Sequence, residues 1–423
     1  MDLLTLARPF YYLAISTLLV SCNSSSKPNN NADNLDHIYT YQQPLPDEQV
    51  DPASCVNYSR TCTIAELPFI ALSYPTPTIN DIMSRVVVSH DWMGARFETL
   101  LTQLPPEIIT LLGSVTAIVI ADNIRPSFYW TGSAAIYIDP YDLWLSNEEK
   151  KTISQQGDYR SNYGENLSYY FFHRFIKDNQ YAYTTIPLDS PSERTIDDII
   201  FPMASLLFHE LAHANDYMPQ NLLPYIDIKQ TTNTVINNLA SQRVNILLAN
   251  AYPLQNEELN AHAKIMYRGN KPNEQQQQDS AEYLGELMQQ EGANHLYAYS
   301  TKAEDVAMLF QATMLKKIFD IDMDSAFVVK PEGANLTCAD YLIAWGVRNR
   351  IADEITQPRA LFVAQNILPN SDFSTFFDNL ENPATFPVLT DWCSTNLNTM
   401  SKKSYQNKSA ILIESHLHGI TIY

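Results

Sequence analysis

The chain has 423 residues, of which 45% are hydrophobic and 17% are charged, so it can bury a sizeable core and is not a disordered protein. This length suits two or three domains, or one large domain with subdomains. The formal net charge of −20 excludes nucleic acid as a partner class and disfavours binding to anionic headgroups, because both would be repelled.

Residues 1–22 have the pattern of a targeting segment. Arg8 precedes an apolar run, FYYLAISTLLV, which is too short to span a bilayer but suits the core of a signal peptide. The run ends in Leu-Val-Ser-Cys at 19–22, which resembles the lipobox of bacterial lipoproteins. An ordinary secretory signal with an incidental cysteine is the alternative.

The lipobox resemblance implies where the protein resides. In lipoproteins the cysteine becomes the acylated amino terminus, which here is Cys22, and a residue other than aspartate at the next position, here Asn23, favours the outer membrane. Residues 23–50 are polar and read as a flexible tether. We therefore expect a lipid-anchored protein of the bacterial cell envelope.

Four cysteines remain if Cys22 carries lipid, and an even number in an oxidising compartment predicts two disulfides. Four cysteines allow three connectivities, of which we favour a short local loop and a staple in the C-terminal region. Free buried thiols are the alternative. The favoured pairs are Cys55–Cys62 and Cys338–Cys393.

Residues 51–195 are predicted to form the N-terminal half of the folded domain, with helices and a sheet. Two β-branched runs, at 114–122 and 133–140, read as strands. The second run is either the edge strand of an active site, which would hold an extended peptide, or an ordinary core strand. Residues 141–195 read as loops and short helices.

Residues 196–320 contain a predicted helix with the sequence FHELAH. His209 and His213 are four residues apart, so both project from one face and can bind one zinc ion. Glu210 is then placed to take a proton from a zinc-activated water. The alternative is an amphipathic helix with solvated histidines, which the apolar MASLLF before the motif disfavours.

A catalytic zinc needs a third protein ligand. No glutamate occurs between His213 and Glu257, so that ligand must be distant in sequence. Glu304 heads a predicted helix and is the best candidate, whereas Glu257 and Glu258 read as surface charges.

The stretches HELAHANDY and EGANHLYAYSTKAEDVAMLF resemble the catalytic half of the anthrax lethal factor-like zincins, a gluzincin group of metallopeptidases. The resemblance implies that His209, His213 and Glu304 hold one Zn²⁺ and that Glu210 is the general base. It also implies that Tyr299 stabilises the transition state, with Tyr297 as its rival.

Further expectations concern the surroundings of this motif. Asp216 is expected to orient a ligand histidine. The fold implied is an α+β, zincin-like metallopeptidase domain, mainly helical with a small mixed sheet, followed by a helical C-terminal region at 321–423. The remaining histidines read as structural or solvated, namely His90, His173, His262 and His295.

The predicted function is a membrane-anchored zinc metallopeptidase that hydrolyses peptide bonds in a protein or peptide substrate. A non-catalytic surface lipoprotein that uses the same scaffold to bind a protein or glycan is the rival. It is motivated by Met308, which stands where the family has a second glutamate. A metal-dependent hydrolase of another amide is a third possibility.

Overall fold

The computed structural model describes residues 35–42, 50–333 and 336–393, which form a mixed α+β fold with two small sheets. The strands are β1 Tyr39–Thr40, β2 Val86–Val88, β3 Ile118–Ile120, β4 Phe128–Trp130, β5 Ala135–Ile138, β6 Tyr169–Lys177, β7 Gln180–Tyr181, β8 Asp322–Val329, β9 Ile343–Arg348 and β10 Ala384–Thr385.

Helices surround both sheets and account for most of the regular structure. In chain order they are α1 Pro52–Val56, α2 Ile70–Ser73, α3 Ile79–Met83, α4 Asp91–Leu101, α5 Pro106–Leu111, α6 Asn147–Lys150, α7 Asp197–Tyr217, α8 Thr232–Asn238, α9 Val244–Ala251, α10 Glu257–Arg268, α11 Glu274–Gln278, α12 Ala281–Gln289, α13 Lys302–Phe319, α14 Gln357–Ile367 and α15 Ser374–Asp378.

The first sheet is small and mixed, with strand order β1-β2-β3-β5-β4. Its three inner strands, β2, β3 and β5, run parallel, and β1 and β4 flank them in the antiparallel sense. The predicted strand at 133–140 becomes β5, which is an interior strand. Of its two predicted roles, that of an ordinary core strand is therefore the correct one, and the edge strands are β1 and β4.

The second sheet is antiparallel, with strand order β10-β9-β8-β6-β7. It corrects two expectations, because β6 lies in the segment predicted as loops and short helices, and β8, β9 and β10 lie at 321–423, predicted as helical. The sequence of β6, YYFFHRFIK, has no polar–apolar alternation, and six of its nine residues are buried. A strand packed on both faces lacks the period that identifies a strand in a sequence.

Part of the predicted tether at 23–50 is folded. Residues 35–42 contribute β1, which pairs with β2, and the side chains of Leu35 and Ile38 are buried against Val87. These two apolar side chains in a polar stretch account for the ordered segment, because they bury apolar surface against the first sheet.

One hydrophobic cluster draws on all three predicted segments beyond residue 50. It contains Phe97 from α4, Phe208 from α7, Phe310 from α13 and Val363 from α14. The C-terminal region is therefore part of the same core that supports α7 and α13.

Both predicted disulfides are confirmed, with Cα–Cα separations of 5.5 Å for Cys55–Cys62 and 5.9 Å for Cys338–Cys393. The signal-like segment and Cys22 lie outside the described residues. Within the described part of the chain, no helix combines the length and the apolar character needed to cross a membrane.

Candidate metal centre

Helix α7 carries the two-histidine motif into the protein interior. The carboxylate of Asp198 in its first turn accepts hydrogen bonds from the backbone N–H and the hydroxyl of Thr195, which stabilises the helix start. The side chains of His209, Glu210 and His213 are buried, with 1%, 2% and 9% of their residues' surface exposed. Polar groups at this depth are costly unless they find partners.

The partner of the two buried histidines is Glu304, in the first turn of α13. The Thr301 side chain caps this helix by accepting a hydrogen bond from the backbone N–H of Glu304 at 3.2 Å. Oε2 of Glu304 then lies 3.2 Å from Nε2 of His209 and 3.3 Å from Nε2 of His213. The structure thus brings together the three side chains that the sequence predicts as metal ligands.

The spacing of these ligand atoms suits a single zinc ion. Zinc bonds of 2.0–2.2 Å in tetrahedral geometry place ligand atoms about 3.3 Å apart. The distances from Glu304 to both histidines match this value, and the ligand atoms of all three residues lie within 4.8 Å of one another. Two imidazoles and one carboxylate are also a donor set that leaves one position for water or substrate.

The second oxygen of Glu304 is held by two donors. The hydroxyl of Tyr297 donates to Oε1 at 2.8 Å, and Nη2 of Arg268 donates to the same atom at 3.1 Å. Oε2 is left facing His209 and His213. Glu304 is therefore arranged to offer a metal one oxygen rather than two.

Neighbouring charges and burial shift the pKa values of Glu304 and His213 in opposite directions. Burial raises the pKa of Glu304, but His213, His209 and Arg268 outweigh it and hold that pKa well below its ordinary range. Burial lowers the pKa of His213, but the Glu304 carboxylate outweighs it and raises that pKa to about 9. The ligand carboxylate is therefore ionised, as metal binding requires.

The carboxylate of Glu210, in α7, faces the edge strand β4. Burial raises its pKa, while His209 and His213 oppose the rise, and the backbone N–H of Tyr129 in β4 donates to its carboxylate. A raised pKa makes it easier for a carboxylate to take up a proton.

Of the two tyrosines proposed as transition-state donors, Tyr297 lies beside the predicted ligands, and among the described residues no hydrogen bond joins the Tyr299 hydroxyl to them. The ring of Tyr297 is stacked on that of His209 with centroids 6.2 Å apart. The hydroxyl of Tyr299 is buried without a hydrogen-bond partner among the described residues. Both tyrosines lie in a short 3-10 helix, Leu296–Tyr299, and its three residues per turn direct side chains two positions apart to different sides.

The hydrogen bond expected between Asp216 and a ligand histidine is not observed among the described residues. The Asp216 carboxylate accepts hydrogen bonds from the backbone N–H and the side-chain amide of Asn245, at 2.7 and 2.6 Å, rather than from a histidine ring. The Nδ1 atoms of His209 and His213 are buried and have no hydrogen-bond partner within the described ranges. Asp216 therefore ties the start of α9 to α7, and burial raises its pKa to about 6.

A second group of potential ligands lies elsewhere and consists of Glu258, His262 and Asp279. The two ring nitrogens of His262 are already hydrogen-bonded at 2.9 Å, to the Tyr169 hydroxyl and to the Asp279 carboxylate. This pairing agrees with the structural role expected for His262. Glu258 belongs to this group and not to the cluster around Glu304.

Sequence reasoning missed Arg268, which contacts the predicted third ligand. Arg268 is the last residue of α10, and a basic residue in the last turn is an ordinary feature of helices. Its contact with Glu304 arises only from tertiary packing, so the sequence carried no signal for it.

Comparison with known proteins returns no match to this chain among family models, curated proteins or solved structures.

Proposed function

We propose that this protein is a zinc metallopeptidase of the zincin type. The observation that carries the proposal is the position of Glu304 Oε2, at 3.2 and 3.3 Å from the Nε2 atoms of His209 and His213. The order of the motifs along the chain, which resembles that of the lethal factor-like zincins, supports the same conclusion.

His209, His213 and Glu304 would hold the zinc ion. Bound there, zinc supplies a Lewis acid for the substrate carbonyl and lowers the pKa of a water molecule toward neutrality. The carboxylate of Glu210 accepts a proton from the attacking water and delivers it to the nitrogen of the leaving amine. The raised pKa of Glu210 suits it to hold that proton between the two steps.

Tyr297 takes the role of transition-state donor in this proposal. Burial holds its pKa well above its ordinary range, so the hydroxyl stays protonated and able to donate. In the structure it donates to Glu304, at 2.8 Å. We propose that it turns this donation toward the carbonyl oxygen of the substrate as negative charge develops there.

The substrate is proposed to be an extended peptide that pairs with the edge strand β4. This strand is hydrogen-bonded to β5 on one side, and the backbone N–H of Tyr129 reaches the carboxylate of Glu210. A peptide that lengthens the sheet at β4 would therefore pass close to the proposed base.

We also propose that the protein is lipid-anchored at Cys22 in the bacterial cell envelope, at the outer membrane. The lipobox-like sequence before Cys22 supports the anchor. The two disulfides support an oxidising compartment, because such bonds persist outside the cytosol.

The test is Glu210→Gln, assayed for bound zinc and for cleavage of a peptide library. Removing the base while leaving the three ligands intact should lower kcat by roughly a hundredfold or more without loss of zinc. Glu282→Gln, an exposed substitution in α12, is the control and should change neither quantity. Retained cleavage in Glu210→Gln would refute the assigned base. Zinc binding without cleavage by the wild type would favour the binding-scaffold alternative.

A further inference from the structure

Arg268 is the most solvent-exposed of the charged side chains that contact the metal cluster. Its side chain is 41% exposed, whereas that of Glu304, its partner at 3.1 Å, is 10% exposed and that of His209 is 1% exposed. A molecule that approaches the cluster from solvent therefore meets the Arg268 guanidinium beside the ligands.

The guanidinium of Arg268 has more hydrogen-bond donors than its contact with Glu304 uses. Arginine carries five N–H donors in a planar fork, and a carboxylate can accept two of them side by side. Among the described residues, Arg268 donates one hydrogen bond, from Nη2 to Oε1 of Glu304. Most of the fork is therefore open to a second acceptor.

Zinc would change the charge balance around Arg268. The two positive charges of a bound ion would be matched by ionised Glu304 and Glu210, which would leave the charge of Arg268 without an equal counter-charge in the cluster. The other arginine near Tyr297, Arg160, is already paired with Asp158 through a contact of 2.5 Å and does not need a further anion.

The surplus charge is local. The whole chain carries a formal charge of −20, so its long-range field repels acidic molecules. Any preference for an anionic group must therefore come from a direct contact, which is what a half-exposed guanidinium can provide.

We propose that Arg268 selects peptides that present a carboxylate next to the bond to be cleaved. This inference rests on the proposed peptidase function and names its substrate class. The carboxylate belongs either to an aspartate or glutamate side chain or to the C-terminus of the peptide. Because the contact with Oε1 of Glu304 uses Nη2, Arg268 can offer its other N–H donors to a substrate while that oxygen stays paired.

The experiment compares peptides that differ only in the carboxylate. One pair carries glutamate or glutamine beside the scissile bond, and a second pair has a free or an amidated C-terminus. The wild type, Arg268→Lys and Arg268→Gln are measured for kcat/KM on each peptide. Arg60→Gln is the matched control, because Arg60 is 42% exposed and ion-paired with Glu66, away from the cluster.

The wild type and Arg60→Gln should prefer one carboxylate peptide over its uncharged twin by roughly tenfold or more, as expected for a charge-assisted pair. Arg268→Lys should keep part of that preference, since it retains the charge but not the fork. Arg268→Gln should reduce the ratio of kcat/KM between the carboxylate peptide and its uncharged counterpart to near one. An unchanged ratio in Arg268→Gln would overturn the proposal. The peptide pair whose preference is lost in Arg268→Gln shows whether Arg268 binds a side-chain carboxylate or the C-terminal carboxylate.

A binding measurement separates this inference from the proposed function. The four peptides are titrated into zinc-loaded Glu210→Gln protein, with and without Arg268→Gln, and the dissociation constants are compared. Tighter binding of a carboxylate peptide that is lost with Arg268 supports the inference even if no variant cleaves a peptide, in which case the peptidase function alone is refuted. If the protein that retains Arg268 binds the two peptides of each pair equally well, the inference is overturned.

Discussion

Tyr297 and Tyr299 are two positions apart, and only one of them contacts the predicted ligands. The hydroxyl of Tyr297 is 2.8 Å from Oε1 of Glu304. The charges that act on Tyr299 instead include those of Glu291, Arg350 and Asp305, none of which is a predicted metal ligand. The two hydroxyls therefore offer a matched comparison within one turn of the chain.

We expect Tyr297→Phe to lower kcat by roughly a hundredfold, because one donor to the developing oxyanion is lost. Tyr299→Phe should leave kcat within about twofold, since its hydroxyl donates to no group of the cluster. Steady-state kinetics on one peptide and a zinc titration check both variants. Equal losses in the two variants would contradict the assignment of Tyr297.

At the residue scale, the sequence was informative where spacing along one helix determines geometry. His209 and His213 face the same side of α7 because they are four positions apart. Glu304, which is 95 positions from His209, could be proposed only from the motif order that resembles a known family. Arg268 and Asn245 could not be identified, because their contacts depend on how separate helices pack.

A glycine sets the distance between α12 and the second sheet. A Cβ built on Gly285 would lie 2.2 Å from Cβ of Trp345 in β9, which is much closer than two carbon atoms can approach. The indole of Trp345 donates to Gln289, also in α12, at 3.0 Å. The helix thus packs on the sheet with its backbone almost in contact.

We expect Gly285→Ala to lower the free energy of unfolding by about 1–3 kcal/mol, because α12 must move away from β9. Alanine is a better helix former than glycine by about 1 kcal/mol, so helix propensity alone predicts that Gly285→Ala raises the free energy of unfolding. The control is Gly157→Ala, where nothing lies within 4 Å of the added carbon. Urea unfolding measures both, and an unchanged or raised stability of Gly285→Ala would contradict the close packing.

At the element scale, the helices α7 and α13 could be predicted, but the second sheet could not. Strand β6 pairs with β8, which comes much later in the chain, with Tyr169 opposite Val329. Pairing over such a separation leaves no local turn signal, and burial of most of β6 removes the alternating pattern. The first sheet was only partly recognised, since the two predicted runs contain β3 and β5 but not β1, β2 or β4.

At the scale of the whole molecule, the C-terminal region supports the helix that carries Glu304, one of the proposed metal ligands. Arg359 in α14 is 3% exposed at its side chain and pairs with Asp305 at 2.5 Å, one residue after Glu304. Arg359 also donates to the carbonyl of Gly292 at 2.8 Å. Because α13 is fixed in this way, a metal held between α7 and α13 should stabilise the entire fold and not only the site.

The most direct test of the account is the zinc content and zinc affinity of the purified protein. The wild type should bind one zinc ion per chain and unfold at a higher temperature with zinc than without it. Glu304→Gln should weaken zinc binding by roughly a hundredfold or more. Glu258→Gln, in the second group of potential ligands, should leave it unchanged. A wild type that binds no zinc, or a Glu304→Gln variant that binds it equally well, would contradict the central claim.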